Sequence, residues 1–446
     1  MKIKGMLLSA LLAALLCFLV SGCGRMSTEI NDFIVPPSPS GKLSEISSAL
    51  YAFTGKDITL RYPKSGEYRS AFIVRDIDGD ANDEALAFYS TISSEKTNIM
   101  HVNFIAINNG KYRSVKDFSF ECSAVNSVSF TDLSGDGVPE IIITWTVSSS
   151  PINKISVFGY QNGAAVQYMF EDYSTYITCD IDGREDNDLL IVTNDPSTKT
   201  AEAKVYKVDH LSAERIGYCR MDPTVQEYYT PVFSKLGDGT PAVYIDANKG
   251  TEGTITELLF FNNSYSLINP FVNEETGLNT ETLRSSISYC SDFNDDGVLE
   301  IPRITRLPDP PASVDNESVY LTEWLQFVGA NHRETKVISY ALIDYTEGYS
   351  VTVPEEWVGK LSVRKNLSKR ERAVYFYDPE SEKPTATEIF KLKLVDNADW
   401  KDSGLSERGY FAAAKNARFT VAIKIENGVA AKVDETYFSK NIKFIS

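Results

Sequence analysis

Five copies of one nine-residue acidic pattern, each set between β-prone runs, restrict what this chain can fold into. Asp76-Ile77-Asp78-Gly79-Asp80-Ala81-Asn82-Asp83-Glu84 is followed by Ala85–Tyr89, and Asp132-Leu133-Ser134-Gly135-Asp136-Gly137-Val138-Pro139-Glu140 by Ile141–Ile143. Asp180–Asp188 precedes Leu189–Val192, and Asp292–Glu300 precedes Ile301. A worn copy, Ser234–Ala242, precedes Val243–Ile245. The starts at 76, 132, 180, 234 and 292 lie 56, 48, 54 and 58 residues apart. Self-similarity at such a period marks an architecture built from one repeated supersecondary unit.

The flanks fix the unit's secondary structure. Short β-rich runs precede the loops at Ala71–Val74, Val128–Phe130, Tyr176–Thr178, Val232–Phe233 and Ile287–Tyr289, so each loop joins two strands. Helices would be needed there for an EF-hand, which excludes that reading. Later in the repeats, Asn108-Asn109-Gly110, Gln161-Asn162-Gly163 and Asn262-Asn263-Ser264 each lie between two more β runs. Asn-Gly between such runs signals a hairpin, because both residues tolerate φ > 0. Four antiparallel strands in about 50 residues is the size of a propeller blade. The expected fold class is all-β: a β-propeller of about five visible four-stranded blades over residues 43–345, then a small α+β domain over 346–446. The last blade carries an insertion at Pro308-Asp309-Pro310-Pro311.

These loops resemble the FG-GAP or VCBS-type repeat, the family that includes the blades of integrin α-subunit propellers. The resemblance covers roughly residues 68–344 and rests on the D-x-D-x-D-G-x-x-[DE] loop. It implies a closed ring, usually of seven blades, where five are visible here. Ile58–Tyr62 is a candidate closing strand for the last blade. Leu43, Ile46, Leu50 and Phe53 are spaced for a short amphipathic helix stopped by Gly55.

The loop chemistry points to an ion. Calcium takes six to eight oxygens, and acids at loop positions 1, 3 and 5 converge when the backbone curls around one point. Glycine at position 4 or 6 permits the curl, and an acid at position 9 closes the shell from the next strand. The candidate ligands are Asp76, Asp78, Asp80 and Glu84; Asp132, Ser134, Asp136 and Glu140; and Asp292, Asn294, Asp296 and Glu300. The bland alternative is an acidic turn capped by its own Asx hydrogen bonds. In the third loop, with Asp180, Asp182 and Asp188, Arg184 stands at position 5 and can neutralise the acids directly. The fourth has Leu236 and Ala242 at ligand positions and is expected to be metal-free. Such an ion would be structural, contributing folding free energy without catalysis.

The first 22 residues read as a targeting segment: Lys2 and Lys4, then the apolar run Met6–Val20. Val20-Ser21-Gly22-Cys23 resembles the bacterial lipobox, which implies cleavage before Cys23 and a diacylglycerol on its sulfur. The competing reading is an ordinary secretory signal containing a cysteine. Residues 23–42, with Pro36-Pro37-Ser38-Pro39, read as a tether. The expected location is the bacterial cell membrane, lipid-anchored and facing outside the cytoplasm. Cys122, Cys179, Cys219 and Cys290 form no C-x-x-C pair, which argues against zinc and favours buried thiols over disulfides.

The chain has 44 Lys+Arg against 61 Asp+Glu, a net charge of −17, which argues against a nucleic-acid partner. The excess lies entirely upstream of residue 347, so it belongs to the repeats and their ion. Beyond 347, β runs recur, Asn427-Gly428 marks a turn, and Phe411–Lys415 reads as strand or helical turn. His101, His210 and His332 share no motif, and no nucleophile elbow or H-E-x-x-H is present. The leading expectation is a surface-anchored binding or scaffold protein with a protein or glycan partner. The alternative is an extracytoplasmic hydrolase, with its site in the propeller funnel or the C-terminal domain. A buried cluster of carboxylates away from the loops would favour the hydrolase.

Overall fold

The computed structural model describes residues 41–92, 98–209, 212–285, 288–308, 320–377, 385–426 and 433–445. The signal segment, Cys23, nearly all of the tether, most of the Pro308–Pro311 insertion, His210 and the Asn427-Gly428 turn lie outside them.

Helix α1 (Lys42–Thr54) ends at Gly55, whose φ of 77° turns the chain out of the helix. Of the four stripe residues, Ile46 and Leu50 are buried, while Leu43 and Phe53 remain partly exposed. The first sheet contains β1 (Thr59–Leu60), β2 (Phe72–Arg75), β3 (Glu84–Ile92), β4 (Asn98–Asn108) and β5 (Lys111–Phe120). The second has β6 (Ala124–Thr131), β7 (Glu140–Thr146), β8 (Asn153–Gln161) and β9 (Ala164–Tyr173). The third has β10 (Thr175–Cys179), β11 (Asp188–Asp195), β12 (Thr200–Val208) and β13 (Ala213–Arg220). In the fourth are β14 (Glu227–Tyr228), β15 (Val232–Lys235), β16 (Pro241–Asn248), β17 (Thr254–Phe261) and β18 (Leu267–Ile268).

The first four sheets follow the repeat read from the sequence. Each acidic loop joins the first strand to its antiparallel neighbour, as in Arg75↔Glu84 and Thr131↔Glu140. Asn109 and Gly110, with φ of 52° and 73°, close the β4–β5 hairpin between Asn108 and Lys111. Asn162 and Gly163 do the same for β8–β9.

The fifth sheet departs from the pattern. It comprises β19 (Ile301–Arg306), β20 (Tyr320–Gly329), β21 (His332–Asp344) and β22 (Tyr349–Thr352). Of its expected first strand, Ile287 lies outside the described residues, and the pairing described there is a single bridge, Ser291↔Glu300. The preceding segment is tied to the fourth sheet instead: the Cys290 N–H donates to Asp246, Arg284 pairs with Asp246, and Arg284 forms an isolated bridge with Thr254. β22, at the expected opening of the C-terminal domain, pairs with β21.

The sixth sheet contains β23 (Leu361–Asn366), β24 (Glu371–Tyr377), β25 (Ala386–Asp396), β26 (Phe411–Lys415) and β27 (Phe419–Ile425). Phe411–Lys415 is therefore strand, paired with β27. Helix α2 (Glu435–Asn441) follows, and β28 (Ile442–Phe444) returns to the edge of the fifth sheet beside β22.

The cores explain how these sheets associate. One apolar cluster joins sheets one and two, with Phe104 and Trp145; another joins two and three, with Ile142 and Ile191. Further clusters join three to four, four to five, and five to the sixth sheet. The outer face of the first sheet is covered by Ile46 and Leu50 of α1. Among the described residues the fold is thus a mostly β stack of five antiparallel sheets, capped by a helix at one end and by the sixth, C-terminal sheet at the other. No core cluster among the described residues joins the first sheet to the last. The assignment of Ile58–Tyr62 as a closing strand is corrected: Thr59 and Leu60 pair with Ser90 and Tyr89 of the first sheet. Local adjacency wins, since only residues 61–83, which include β2, separate β1 from β3 in the chain.

Candidate metal centre

Four of the five loops share one backbone. Positions 4 and 6 are left-handed in each: Gly79 and Ala81, Gly135 and Gly137, Gly183 and Glu185, Asp295 and Gly297. Two left-handed residues one apart curl the chain so that its amides face inward. The position-1 aspartate takes them up, Asp76 accepting from Gly79 (2.7 Å) and Ala81 (3.0 Å), and Asp132 from Gly135 (2.8 Å) and Gly137 (2.9 Å). Asp180 and Asp292 accept from positions 5 and 6 in the same way.

Position 9, on the following strand, rises beneath the curl. Glu84, Glu140 and Glu300 are buried and accept the position-2 amide: Ile77 at 3.2 Å, Leu133 at 2.8 Å and Phe293 at 2.8 Å. Burial, reinforced by the neighbouring aspartates, pushes the Glu84 and Glu300 carboxyls up to about 7. Burial also raises Glu140. The second oxygen of Glu300, Oε1, is buried with no hydrogen-bond partner among the described residues.

Three of these loops bring carboxylates to one point, with ligand atoms within 4.8 Å of one another: Asp76, Asp78 and Glu84; Asp180, Asp182 and Asp188; Asp292, Asp296 and Glu300. These clusters are able to hold a metal ion. Asp80 instead accepts from Asn82 through both oxygens, and Asn294 bonds to Asp296. In the second loop Asp136 accepts from Val138 and Gln161, while the Ser134 amide donates to Glu140.

The third loop contains cations of its own. Arg184 Nε lies 3.4 Å from Asp182, the neutralisation its position suggested. The sequence pattern did not reveal Lys207 on β12, whose Nζ stands 3.5 Å from Asp188 Oδ1 and 3.6 Å from Asp186 Oδ2. Its signal lay in strand register, since Leu189 pairs with Tyr206 and so sets Asp188 opposite Lys207. Burial, then the charge of Asp182, raises Asp188 to about 6. In the fourth loop Leu236 and Ala242 are fully buried, and Asp238 accepts from Thr240 and Ala330.

The loops stand side by side along one edge of the stack. Asn187 of the third donates to the Asp132 carbonyl of the second, and a Cβ on Gly135 would meet Asp186 at 2.3 Å. Lys42 of α1 pairs with Asp83 at one end of the row, and Lys443 of β28 with Asp295 (2.5 Å) at the other.

Two further polar clusters lie away from the loops. Asp222 and Glu257 are buried carboxylates of the kind that would favour a hydrolase, and Asp246 on the same sheet is partly buried. Asp222 is ion-paired with Lys249 (3.0 Å) and Asp246 with Arg284 (2.7 Å). Glu257, fully buried, accepts from the Asp222 amide, Asn269 and Asn279. These bonds tie residues 269–284 and 288–290 to the fourth sheet and commit all three acids. On the first sheet, His101 Nδ1 is 2.8 Å from Asp117 and Nε2 is 2.9 Å from the Thr91 hydroxyl, with the Tyr89 ring stacked at 4.4 Å. The four cysteines are free, and Cys122, Cys179 and Cys219 are buried.

No family model and no curated protein matches the chain. Among solved structures it is similar to the exotype rhamnogalacturonan lyase YesX, at 11% identity over 73% of each chain and a TM-score of 0.31. It is also similar to rhamnogalacturonan lyase YesW, at 10% identity over 74% of this chain and 64% of that one, TM-score 0.29. A Bacillus licheniformis rhamnogalacturonan lyase PL11 matches at 10% over 73% and 90%, TM-score 0.30. At these scores the likeness transfers no activity.

Proposed function

We propose that this chain is a lipid-anchored, extracytoplasmic binding or scaffold protein of bacteria. In this reading its repeat sheets are FG-GAP-like propeller blades, stiffened by calcium held in the first, second and fifth loops. The reading is carried by the contrast at position 9. The third loop sets Lys207 against its buried acid, whereas no Lys or Arg among the described residues pairs with Glu84, Glu140 or Glu300. A buried carboxylate without a counter-charge is costly, and a hard divalent cation with oxygen ligands offsets that cost. Asp76, Asp78 and Glu84, with Asp292, Asp296 and Glu300, would hold it, and Asp132, Asp136 and Glu140 would do so in the second loop. Magnesium fits less well, because it demands near-ideal octahedral geometry and retains water. Thermal melting during a calcium titration tests this. The melting temperature should rise with calcium and fall in EDTA, and an unchanged value in EDTA would reduce the loops to acidic turns.

A hydrolase remains as a second reading because Thr91, His101 and Asp117 are aligned as hydroxyl, base and carboxylate. It expects hydrolysis of p-nitrophenyl acetate that is lost in both Thr91→Ala and His101→Ala. Equal rates in wild type and variants would make the trio a strand-bracing network.

A further inference from the structure

We propose that the groove between the fifth acidic loop and the open part of the fifth sheet binds an uncharged saccharide, a proposal that rests on the surface-binding reading above. The groove has a volume of about 730 Å³ and opens to solvent. Its floor follows from strand register. Ile343 pairs with Ser350 and Ser350 with Lys443, which sets three lining side chains in one row across β21, β22 and β28. Trp324 of β20 also lines it. A bulge between Trp324 and Leu325 divides this strand. Leu325 and Phe327 beyond it pack into the core shared with the fourth sheet, while Trp324 stacks on Phe293 of the loop at 4.6 Å. The wall carries Tyr289 and Tyr345, 44% and 48% exposed.

Two observations define the ligand. Trp324 is 4% exposed, yet its indole N–H has no hydrogen-bond partner among the described residues, an unmet donor where buried polar groups are mostly satisfied. The charges of the groove are already engaged: Lys443 Nζ on Asp295 and on the Phe293 carbonyl (3.0 Å), and Asp292 on the amides of Asp296 and Gly297. A ligand therefore finds aromatic side chains and hydroxyls but no uncommitted charge, and it reaches the Trp324 N–H by displacing the side chains that cover it. A sugar ring suits that set, with C–H groups on its face and acceptor oxygens around its edge.

Calorimetry and tryptophan fluorescence on the purified chain test this with cellohexaose, chitohexaose, mannohexaose and an acidic alginate hexamer. At least one neutral hexamer should bind saturably, change the fluorescence, and bind more tightly than the alginate. Trp324→Phe should weaken binding about tenfold, the scale of one lost hydrogen bond. Tyr289→Ala, at an exposed rim position, should also weaken it with the melting temperature unchanged. The proposal is overturned if no neutral hexamer binds at millimolar concentration, if alginate binds best, or if Tyr289→Ala binds as wild type. Melting in EDTA reads the calcium proposal separately, so either can fail while the other stands.

Discussion

At the scale of single residues, Lys207 shows how one side chain can take over an ion's role. Its ammonium faces Asp188 and Asp186 from the neighbouring strand, and neither Lys207 Nζ nor Asp188 Oδ1 has any other hydrogen-bond partner. Replacing it with the similarly long but neutral Met leaves a buried aspartate uncompensated. Lys207→Met is expected to lower stability by about 1–3 kcal/mol in EDTA. Calcium should then restore the loss, because Asp180, Asp182 and Asp188 already converge. Urea melts with and without calcium measure both effects, and a variant indifferent to calcium would mean that this curl cannot hold the ion. The acids of the loops could be read from spacing alone, since the pattern recurs at fixed offsets. Lys207 could not, because it reaches the loop through the pairing of Leu189 with Tyr206, and register is invisible in a linear pattern. Asp80 misled for a related reason: spacing counts an acid as a ligand even when its oxygens are occupied by a local Asx turn.

Among the elements, the informative ones are those that terminate the stack. Helix α1 covers the first sheet with Ile46 and Leu50, so Leu50→Ala truncates one of the six buried residues of a small cap core. A cost of about 2–5 kcal/mol is expected, read as a shift in the urea midpoint, with calcium dependence of the melt retained. At the other end, Arg372 of β24 meets Asp344 of β21 at 2.6 Å, with both side chains less than a tenth exposed. Beside them Arg370 holds Glu347 through Nε at 2.9 Å. Asp344→Ala strands the Arg372 charge in the core between the fifth and sixth sheets, a loss of about 3–5 kcal/mol. Limited proteolysis should then cut between the two sheets, around residues 353–360, before the repeats are attacked. Simultaneous loss of all sheets would show that they unfold as one unit. The hairpins and the acidic turns of these elements were readable because Asn-Gly pairs and alternating acids act within a few residues. The fifth sheet was not, because Asp246 and Arg284 draw its expected first strand toward the fourth sheet. The return of β28 to its edge depends on a contact across about 90 residues.

For the whole molecule, the loops make stability a joint function of pH and calcium. In the metal-free protein Glu84 and Glu300 sit near 7, against an ordinary value of 4.5, chiefly because they are buried. A raised folded-state value means that the native state holds more protons than the unfolded chain between about pH 4.5 and 7. Stability in EDTA must therefore fall as pH rises through that window. Asp222, Asp238 and Asp296 are shifted below their ordinary 3.8 because the hydrogen bonds they accept outweigh burial, so they contribute stability that is lost only under more acidic conditions. The metal-free melting temperature should consequently peak on the acidic side of neutrality and decline toward pH 8. With calcium bound the same glutamates are needed as anions, so the decline should flatten or reverse, and calcium affinity should drop as pH falls below about 7. Melting curves across pH 4–8, with EDTA and with saturating calcium, separate the two regimes. Parallel curves would mean that the row of loops carries no ion. A crossing pattern would link the chain's −17 charge to its extracytoplasmic reading, since a stack of sheets lined with buried acids keeps its full stability only where calcium is abundant.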